Sequence, residues 1–360
     1  MNLTRVELAR PVPPVLALGA FLKNTVCLAV DREAQIAPDL GNLDEPEALR
    51  GFHSAVEHLV ARLGTPPVAI AHDLHPDFYS SRFAVELSED LDAPAVAVQH
   101  HHAHTAAVMA EHGLSGPLLG LSLDGFGLGP DNESWGGELL LVDANGYRRL
   151  GHLARLPQPG ADAAARQPWR MGAAALYALG RGDEIGARFA DFAGASLIAT
   201  MIERGVNSPL TSSAGRLFDA ACGLLGVKLV AAFEGEAPMQ LERMVTTPRV
   251  VEEGWRIEQG VLDVRPLLAA IADREAVDGA ELFHGTLIEA LAAWVAAAAD
   301  ETGVRAVAMS GGCMLNRVLR EGLLARLKES NIEPLLPIAL SPGDPAISLG
   351  QAWATALGRM

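Results

Sequence analysis

The N-terminal part of the chain alternates between strand-like and helix-like spacing of its apolar residues. Residues 15–30 form two apolar segments around the polar tip Lys23-Asn24-Thr25, which predicts a β-hairpin after an N-terminal tail or leading strand. In residues 44–63, apolar side chains recur mostly every three or four positions, which predicts an amphipathic helix with Asp44 as its N-cap. Short apolar strands are predicted at residues 68–70 and 95–98.

The rest of the chain continues this alternation. A helix is predicted from His100, and strands are predicted at residues 118–123, ending in a glycine-rich turn, and at 138–142, 304–309 and 335–340. Further helices are predicted within the region 170–226, at 281–299, from about Asn316, and at 346–357. Because strands alternate with helices and a strand-rich beginning recurs in each half, the pattern predicts an α/β protein with two related lobes.

Length and composition agree with that layout and narrow the classes of function. The 360 residues are 49% hydrophobic, which is enough for a substantial core in one large domain or two lobes. The formal net charge of −16 argues against a surface for nucleic acid or anionic membranes, whose affinity depends on Lys and Arg. A local basic pocket for a nucleotide remains compatible with this charge.

The three cysteines, Cys27, Cys222 and Cys313, are far apart and include no CxxC pair. They predict neither a disulfide framework nor a structural zinc ribbon, so a reducing cytoplasm fits best. The N-terminus has no apolar core of signal-peptide length, and no apolar run approaches about 18 residues, so neither a signal peptide nor a membrane span is predicted. Cys313 has no histidine near it in sequence, so packing beneath its loop is favoured over a nucleophilic role.

Histidines are concentrated in the segment VQHHHAHTA, which follows the predicted strand 95–98. If a helix begins near His100, then His100 and His104 are one turn apart and project from one face about 6 Å from each other, which suits two ligands of one metal ion. His101 and His102 point elsewhere and are candidates for outer-shell or substrate-contacting groups. The alternative is a polar helix start with histidines paired to carbonyl groups, but the spacing favours a metal site.

Two aspartates are candidates to complete that site, and each has a second interpretation. Asp124 ends a predicted strand, where α/β proteins bind ligands, but Asp-Gly turns are common. Asp344 precedes Pro345 and an apolar helix, and this context alone favours a helix cap over a ligand. Imidazole with carboxylate ligation suits iron, zinc or manganese.

Three glycine-bearing loops are candidates to hold a nucleotide. Gly311 and Gly312 lie between a buried strand and a helix, so backbone N–H groups there can face phosphate. Gly215 precedes a helix that carries Asp219, which is a candidate for ribose hydroxyls or, alternatively, for an ion pair with Arg216. Gly235 lies in FEGEAPMQLE, which is predicted to be a loop as far as Met239. Each loop is weak evidence by itself, and none matches a known phosphate-loop fingerprint.

In combination these motifs resemble the HypF carbamoyltransferases. The resemblance covers residues 15–357, and the segments that carry it, in order, are LGAFLKNTVCLAV, AHDLHPDFYSSRFA, VQHHHAHTAAVMAEH, LSLDGFGLGPDNESWGGELLLVD, SSAGRLFDAACGLLG, FEGEAPMQLE, SGGCMLNRVL and SPGDPAISLGQA. This module is also related to O-carbamoyltransferases and to the threonylcarbamoyl-transfer subunit of tRNA modification. The resemblance implies a two-lobed, actin-like ATPase fold of the α/β class, with the lobes at residues 1–115 and 116–360 and the last helix packing back on the first lobe.

The resemblance also implies roles for individual residues. The implied metal ligands, for iron or zinc, are His100, His104, Asp124 and Asp344. The implied contacts to ATP or carbamoyl-adenylate are Gly125, Gly215, Asp219, Gly235, Gly311, Gly312 and Asn316. Lys23 is expected near the phosphate, and His101 or His102 is expected to accept a proton during catalysis. The last loop departs from the family pattern, because it reads Gly343-Asp344-Pro345-Ala346 where the family usually has Asn-Asp-Gly-Gly.

The function implied is carbamoyl transfer from carbamoyl-adenylate to the C-terminal cysteine of HypE, during assembly of the cyanide ligands of nickel–iron hydrogenase. The acylphosphatase, zinc-finger and adenylate-forming modules of full-length HypF are not recognised in this sequence, so we expect an excised module or a natural short form that depends on a separate source of carbamoyl-adenylate. No nucleic-acid or membrane partner is expected, and the net charge speaks against the tRNA-modifying relative. The alternatives are carbamoyl transfer to a small-molecule hydroxyl and a non-catalytic nucleotide-binding scaffold for maturation proteins.

Overall fold

The computed structural model describes residues 1–359, which form two α/β lobes. The elements of the first lobe, in chain order, are β1 (Thr4–Ala17), β2 (Cys27–Ile36), α1 (Pro46–Val60), β3 (Ala69–Asp73), α2 (Tyr79–Asp90), β4 (Ala95–Val98) and α3 (His100–Glu111). Their sheet has the order β2-β1-β3-β4, in which β1 and β2 form an antiparallel hairpin and β1, β3 and β4 are parallel. The predicted hairpin is therefore confirmed, although β1 begins far earlier than expected.

The second sheet lies beyond residue 115. Its strands are β5 (Leu118–Leu128), β6 (Ser134–Asp143), β7 (Gly146–Leu153), β8 (Leu156–Pro157), β9 (Leu210–Thr211), β10 (Arg256–Glu258), β11 (Val261–Asp263), β12 (Ala306–Ser310) and β13 (Glu333–Leu335). The accompanying helices are α4 (Asp162–Arg166), α5 (Pro168–Ala178), α6 (Ile185–Arg188), α7 (Ile198–Glu203), α8 (Ala214–Leu225), α9 (Glu236–Arg243), α10 (Arg265–Ile271), α11 (Ala276–Thr302), α12 (Arg317–Glu329) and α13 (Ile347–Leu357).

The two sheets repeat one topology. In the second lobe, β5, β6 and β7 form an antiparallel meander, and β12 and β13 add to β5 in parallel. The path β6-β5-β12-β13 thus has the same order and directions as β2-β1-β3-β4. This repetition confirms the α/β class with two related lobes that the sequence pattern predicts.

Two helices, α3 and α13, lie between the sheets. α13 contacts α3, β1 and β2, while α3 also contacts β5, β6 and β12. The approach is close, because a Cβ atom on Gly350 would stand 1.8 Å from the carbonyl oxygen of Ala103. Trp353 of α13 is 1% exposed, and its indole N–H donates to the carbonyl oxygen of Leu114 at 3.2 Å. Burial of such a large ring stabilises the packing of α13 against the first lobe.

Three predicted boundaries are wrong for identifiable reasons. Asp44 does not cap α1, which begins with Pro46, a residue that has no N–H to satisfy. β5 continues through the predicted glycine-rich turn by way of an irregularity between Leu123 and Gly127, so Asp124 lies at a bulge within the strand. The loop around Gly235 is also shorter than expected, because α9 already begins at Glu236.

The last predicted strand, residues 335–340, is also wrong. β13 ends at Leu335, and the backbone N–H groups of Ile338, Ala339 and Leu340 donate to the carboxylate of Glu111 at 2.6–3.0 Å. Because these donors are bound by a side chain at the C-terminal end of α3, they do not extend the sheet. This contact also ties the segment before Asp344 to α3.

α11 is long and apolar enough to cross a membrane by length and composition, but 72% of the relevant window is buried inside the fold. Its buried residues include Phe283, Leu287, Leu291 and Trp294. This burial is typical of a core helix of a large lobe.

Candidate metal centre

The start of α3 determines where the histidines point. β4 ends at Val98, and the side-chain oxygen of Gln99 accepts the backbone N–H of His102 at 2.9 Å, which caps the helix. His100 is therefore the first helical residue, and His104 lies one turn later. Both rings are buried, with their centroids 4.9 Å apart.

Four side chains from three parts of the fold converge at this point. Nε2 of His100 lies 3.3 Å from Oδ2 of Asp124 and 3.7 Å from Oδ1 of Asp344. Nε2 of His104 lies 3.2 Å and 3.8 Å from the same two atoms. One ligand atom from each of the four residues lies within 4.8 Å of the others.

Asp124 reaches the site from the bulge in β5. Its Oδ2 faces the histidines, while its Oδ1 accepts the backbone N–H of Gly312 at 3.0 Å. Gly311 has φ +91°, and a Cβ there would stand 2.3 Å from the carbonyl oxygen of Leu123, so this tight approach requires glycine. The Gly311-Gly312 pair therefore positions a candidate metal ligand.

Asp344 is the first residue of a short 3₁₀ helix, Asp344–Ala346, and no side-chain hydrogen bond caps that helix. The loop is fixed from the first lobe, because the Thr25 hydroxyl donates to the carbonyl oxygen of Pro345 at 3.0 Å and lies 2.6 Å from the Ser348 hydroxyl. The interpretation of Asp344 as a helix cap is therefore wrong. Its carboxylate is free to face the histidines.

The pKa values of His100 and Asp124 are shifted by their buried, charged surroundings. Burial alone would lower the pKa of His100, but the carboxylates of Asp73, Asp124 and Asp344 raise it well above its usual value. Burial alone would raise the pKa of Asp124, but its contacts with His100 and His104 hold that pKa well below the usual range. The carboxylate of Asp124 is therefore ionised at neutral pH, as a metal ligand must be.

These residues fit a divalent ion. Nε2 of His100 is buried and makes no hydrogen bond within residues 1–359, although it faces two carboxylates. A buried polar atom without a partner lowers the stability of the fold. A shared cation would bind all four ligand atoms at once. Two imidazole nitrogens with two carboxylate oxygens suit iron, zinc or manganese.

Sequence reasoning missed Asp73, whose carboxylate accepts the Nδ1–H of His100 at 2.7 Å. Asp73 is the last residue of β3. It lies in AHDLHPDFY, which is part of one of the segments that carry the family resemblance. The signal that could have found it is a carboxylate at the carboxyl end of a parallel strand, where ligands gather in α/β proteins.

His101 is completely buried, and its ring is held by the cap residue. Because the Gln99 oxygen already accepts the N–H of His102, its amide nitrogen faces Nδ1 of His101 at 3.0 Å and donates to it. The neutral ring then carries its proton on Nε2. Burial and the neighbouring charge of His100 lower the pKa of His101 well below its usual value. This placement argues against the predicted proton-accepting role.

His102 points away from the four-residue group. Its ring packs against Tyr147 with centroids 5.0 Å apart, and burial lowers its pKa to about 4. The structure therefore does not bring His102 to the candidate metal centre, and its predicted catalytic role has no support from position.

Lys23 lies in the loop between β1 and β2. Its Nζ pairs with the carboxylate of Glu234 at 2.9 Å, so the ion pair joins the two lobes. Burial lowers the pKa of Lys23, but Glu234 and the more distant Asp344 and Asp124 outweigh this and raise it. The ammonium group of Lys23 therefore lies beside Glu234, which directly precedes Gly235.

Three of the candidate nucleotide residues lie close to Asp124 and to one another. The Ser213 hydroxyl bonds the carbonyl oxygens of Asp124 and Gly125 at 2.9 and 2.7 Å, which brings the start of α8 against β5. A Cβ on Gly215 would stand 2.9 Å from Cα of Gly125, so this contact requires a small residue. Gly312 lies beside Asp124, and Gly235 with φ +78° stands at the start of α9. Gly125, Gly215 and Gly312 therefore meet beside the metal centre.

Asp219 and Asn316 have protein partners. Asp219 is buried beside Arg216, with Nε and Oδ2 2.8 Å apart, and burial raises the pKa of Asp219 to about 6 against the opposing effect of Arg216. Asn316 caps α12 by accepting the N–H of Leu319 at 2.9 Å, while its amide nitrogen faces His284 at 3.0 Å. The ion-pair interpretation of Asp219 is confirmed, and Asn316 has a structural role at the helix start.

Cys313 follows Gly312 in the short 3₁₀ helix Gly312–Leu315 and is half-buried. Burial raises the pKa of its thiol, with smaller contributions from nearby charges including Asp124. The thiol is therefore protonated at neutral pH, which favours the packing role over a nucleophilic one.

Comparison with known proteins identifies the family. Residues 10–111 match the HypF Kae1-like domain, and residues 120–351 match the family described as carbamoyltransferase, Kae1-like domain, second subdomain. The chain is 47% identical to carbamoyltransferase HypF2 of Cupriavidus necator, over 97% of this chain and 47% of that protein. It is also 47% identical to a carbamoyltransferase HypF homolog of the same organism, over 95% of this chain and 91% of the homolog.

A solved structure gives the same result. The chain superposes on full-length HypF in its phosphate- and nucleotide-bound form with a TM-score of 0.90 and 31% identity, covering 98% of this chain and 57% of that protein. The chain spans about half the length of the first curated relatives that it matches. The predicted resemblance and the predicted two-lobed fold are confirmed. The chain belongs to the HypF carbamoyltransferase family, within which it corresponds to the Kae1-like part.

Proposed function

We propose that this chain transfers a carbamoyl group from carbamoyl-adenylate to the C-terminal cysteine of HypE in nickel–iron hydrogenase maturation. The observation that carries this proposal is the convergence of His100, His104, Asp124 and Asp344 beside the loops that carry Gly215 and Gly312. Membership of the HypF family supports carbamoyl transfer as the reaction class.

Carbamoyl-adenylate would lie beside the metal centre, next to loops of the second lobe. Gly215 lets the start of α8 approach Gly125 closely there, and N–H groups at the starts of α8 and α9 suit a phosphate. Lys23 would supply a positive charge if it exchanged Glu234 for phosphate. The solved phosphate- and nucleotide-bound form of full-length HypF supports nucleotide binding in this family.

The reaction balances as an acyl transfer. The acceptor thiolate attacks the carbamoyl carbon, a carbon–sulfur bond forms, and the bond from that carbon to the phosphate oxygen breaks. AMP leaves with the electron pair, and the product is a thiocarboxamide. The thiol proton leaves to solvent or to the acceptor protein, because His101 is completely buried and His102 packs against Tyr147.

A divalent ion, iron or zinc, would be held by His100, His104, Asp124 and Asp344. When bound, it would supply Lewis-acid polarisation of a carbonyl or phosphate oxygen of the donor. The chain itself fixes the ligand geometry: Gly312 orients Asp124, and Thr25 anchors the loop that carries Asp344.

The proposed partners are HypE as acceptor and a separate source of carbamoyl-adenylate. The net charge of −16 supports a function that does not involve binding to nucleic acids or anionic membranes. The three free cysteines support a location in the reducing cytoplasm. We propose no partner beyond these.

The test is transfer in a defined mixture. Purified chain, HypE and synthetic carbamoyl-adenylate are combined, and HypE is analysed by intact-mass spectrometry for one added carbamoyl group on its C-terminal cysteine. Transfer that depends on the chain supports the proposal. Nucleotide binding without any transfer would indicate a scaffold instead. HypE lacking the terminal cysteine is the matched control, and modification of that protein would contradict the proposed acceptor.

A further inference from the structure

We propose that Asp73 is a positioning residue, which fixes the orientation and tautomer of His100 for metal binding. The inference rests on the proposed metal centre and goes beyond it, because Asp73 is not one of the four candidate ligands. Asp73 is the last residue of β3, and its side chain is 1% exposed. A carboxylate this deeply buried is costly unless it serves a partner.

The partner is the ring of His100. The Nδ1–H group of His100 donates a hydrogen bond to Oδ2 of Asp73 at 2.7 Å. Because Nδ1 carries the proton, the lone pair of the neutral ring is on Nε2, the atom that faces Asp124 and Asp344. Carboxylates that bind the far nitrogen of a ligating histidine fix its tautomer and increase its basicity.

Asp73 is itself held rigidly. Its Oδ1 accepts the backbone N–H of His75 at 2.9 Å, and its carbonyl oxygen accepts the Ser81 hydroxyl at 3.0 Å. In the sheet, Asp73 pairs with Val98, the last residue of β4 and two positions before His100. The β3–β4 register therefore sets the distance between the carboxylate and the ring.

The second histidine has no equivalent anchor. Nδ1 of His104 is buried and has no hydrogen-bond partner in the described part of the chain, so only packing and the contact of Nε2 with Asp124 orient that ring. The geometry of the ligand pair therefore depends on the contact between Asp73 and His100. Loss of this contact should weaken metal binding even though all four ligands are retained.

Two substitutions separate positioning from simple structural support. In Asp73→Asn, the amide oxygen can keep the N–H of His75, so the amide N–H₂ then faces Nδ1 of His100. That donor forces Nδ1 to accept and moves the ring proton to Nε2, which can no longer bind a metal. In Asp73→Ala the ring is free to take either tautomer, although the fold loses more packing.

Co²⁺ titration of the full chain, followed by visible absorption, gives the affinity, and urea unfolding of the metal-free protein gives the stability. We expect Asp73→Asn to lower Co²⁺ affinity about 10–100-fold, and more than Asp73→Ala does. The order for stability should be the reverse, with Asp73→Ala the less stable. Opposite orders in the two measurements are the signature of a positioning role.

The control is Glu138→Gln. Glu138 is an equally buried carboxylate, held by Arg149 at 2.7 Å, and it lies outside the ligand group. Its substitution should lower stability and leave Co²⁺ affinity unchanged. If the wild-type chain binds Co²⁺ and both folded Asp73 variants bind it as tightly as the wild type does, the positioning role is overturned. If the wild type binds no Co²⁺, the metal centre is wrong, and this inference is overturned with it.

Discussion

Nε2 of His100 lies 3.7 Å from Oδ1 of Asp344, although these residues are far apart in the sequence. His100 begins α3, and Asp344 stands directly before α13. Their proximity depends on the packing of these two helices between the sheets. It also means that the candidate metal centre links the two lobes, since both aspartates are on elements of the second lobe.

Removal of one ligand histidine should empty the site. We expect His104→Ala to lower the affinity for Zn²⁺ or Fe²⁺ at least about tenfold and to abolish transfer, because it leaves two carboxylates and one imidazole. Elemental analysis after dialysis and the HypE mass assay measure the two effects. His102→Ala is the matched control, since its ring packs on Tyr147. Retained metal with retained transfer in His104→Ala would refute the ligand assignment.

Asp344→Ala distinguishes a ligand from a helix cap, because alanine can serve as neither. Because no side-chain hydrogen bond caps the 3₁₀ helix, the free energy of unfolding of the metal-free protein should change by less than about 0.5 kcal/mol. Metal affinity should fall at least about tenfold. Asn316→Ala, which removes the cap of α12, should cost about 1 kcal/mol or more and serves as the comparison. Lost stability with unchanged metal affinity would restore the cap interpretation.

The pair between Lys23 and Glu234 should compete with phosphate. Exposed ion pairs are worth up to about 1 kcal/mol, so Glu234→Gln should tighten AMP binding by about two- to fivefold. Lys23→Gln should weaken AMP binding. Isothermal titration of AMP at low and high salt measures both, and salt should reduce the differences. Equal affinities in all three proteins would remove Lys23 from the nucleotide site.

Asp219 should make stability depend on pH. Its pKa rises to about 6 in the folded protein because of burial, whereas the unfolded value is near 3.8. The folded state therefore binds the proton more tightly, and this stabilising contribution is lost as pH rises through about 6. Relative to Asp219→Asn, the wild type should lose about 1 kcal/mol between pH 5 and pH 7.5. Urea unfolding at both pH values measures this, and parallel changes in the two proteins would contradict it.

The packing of α13 on α3 should tolerate no side chain at Gly350. A Cβ atom there would stand 1.8 Å from the carbonyl oxygen of Ala103, so Gly350→Ala should destabilise the protein by about 1–3 kcal/mol and displace Asp344 from the histidines. Thermal unfolding and Co²⁺ titration measure the two effects. Gly358→Ala, at the end of the same helix with no contact closer than 3.7 Å, should be nearly neutral.

The sequence alone determined the local parts of the site. The one-turn spacing of His100 and His104 follows from the helix period, and it predicted two imidazoles on one face without any tertiary information. The α/β alternation likewise predicted the strands and helices that carry the ligands, because apolar periodicity is a local property. The family motifs added Asp124 and Asp344 by resemblance.

Tertiary structure decided everything that depends on distant contacts. Asp344 looks like a helix cap in sequence, and only the packing of α13 against α3 turns its carboxylate to His100. The role of Asp73 depends on the β3–β4 register, and the orientation of His101 depends on the cap formed by Gln99. The reason is physical: local spacing fixes which side chains share a helix face, whereas ligand geometry of a few ångströms is fixed only when separate elements pack.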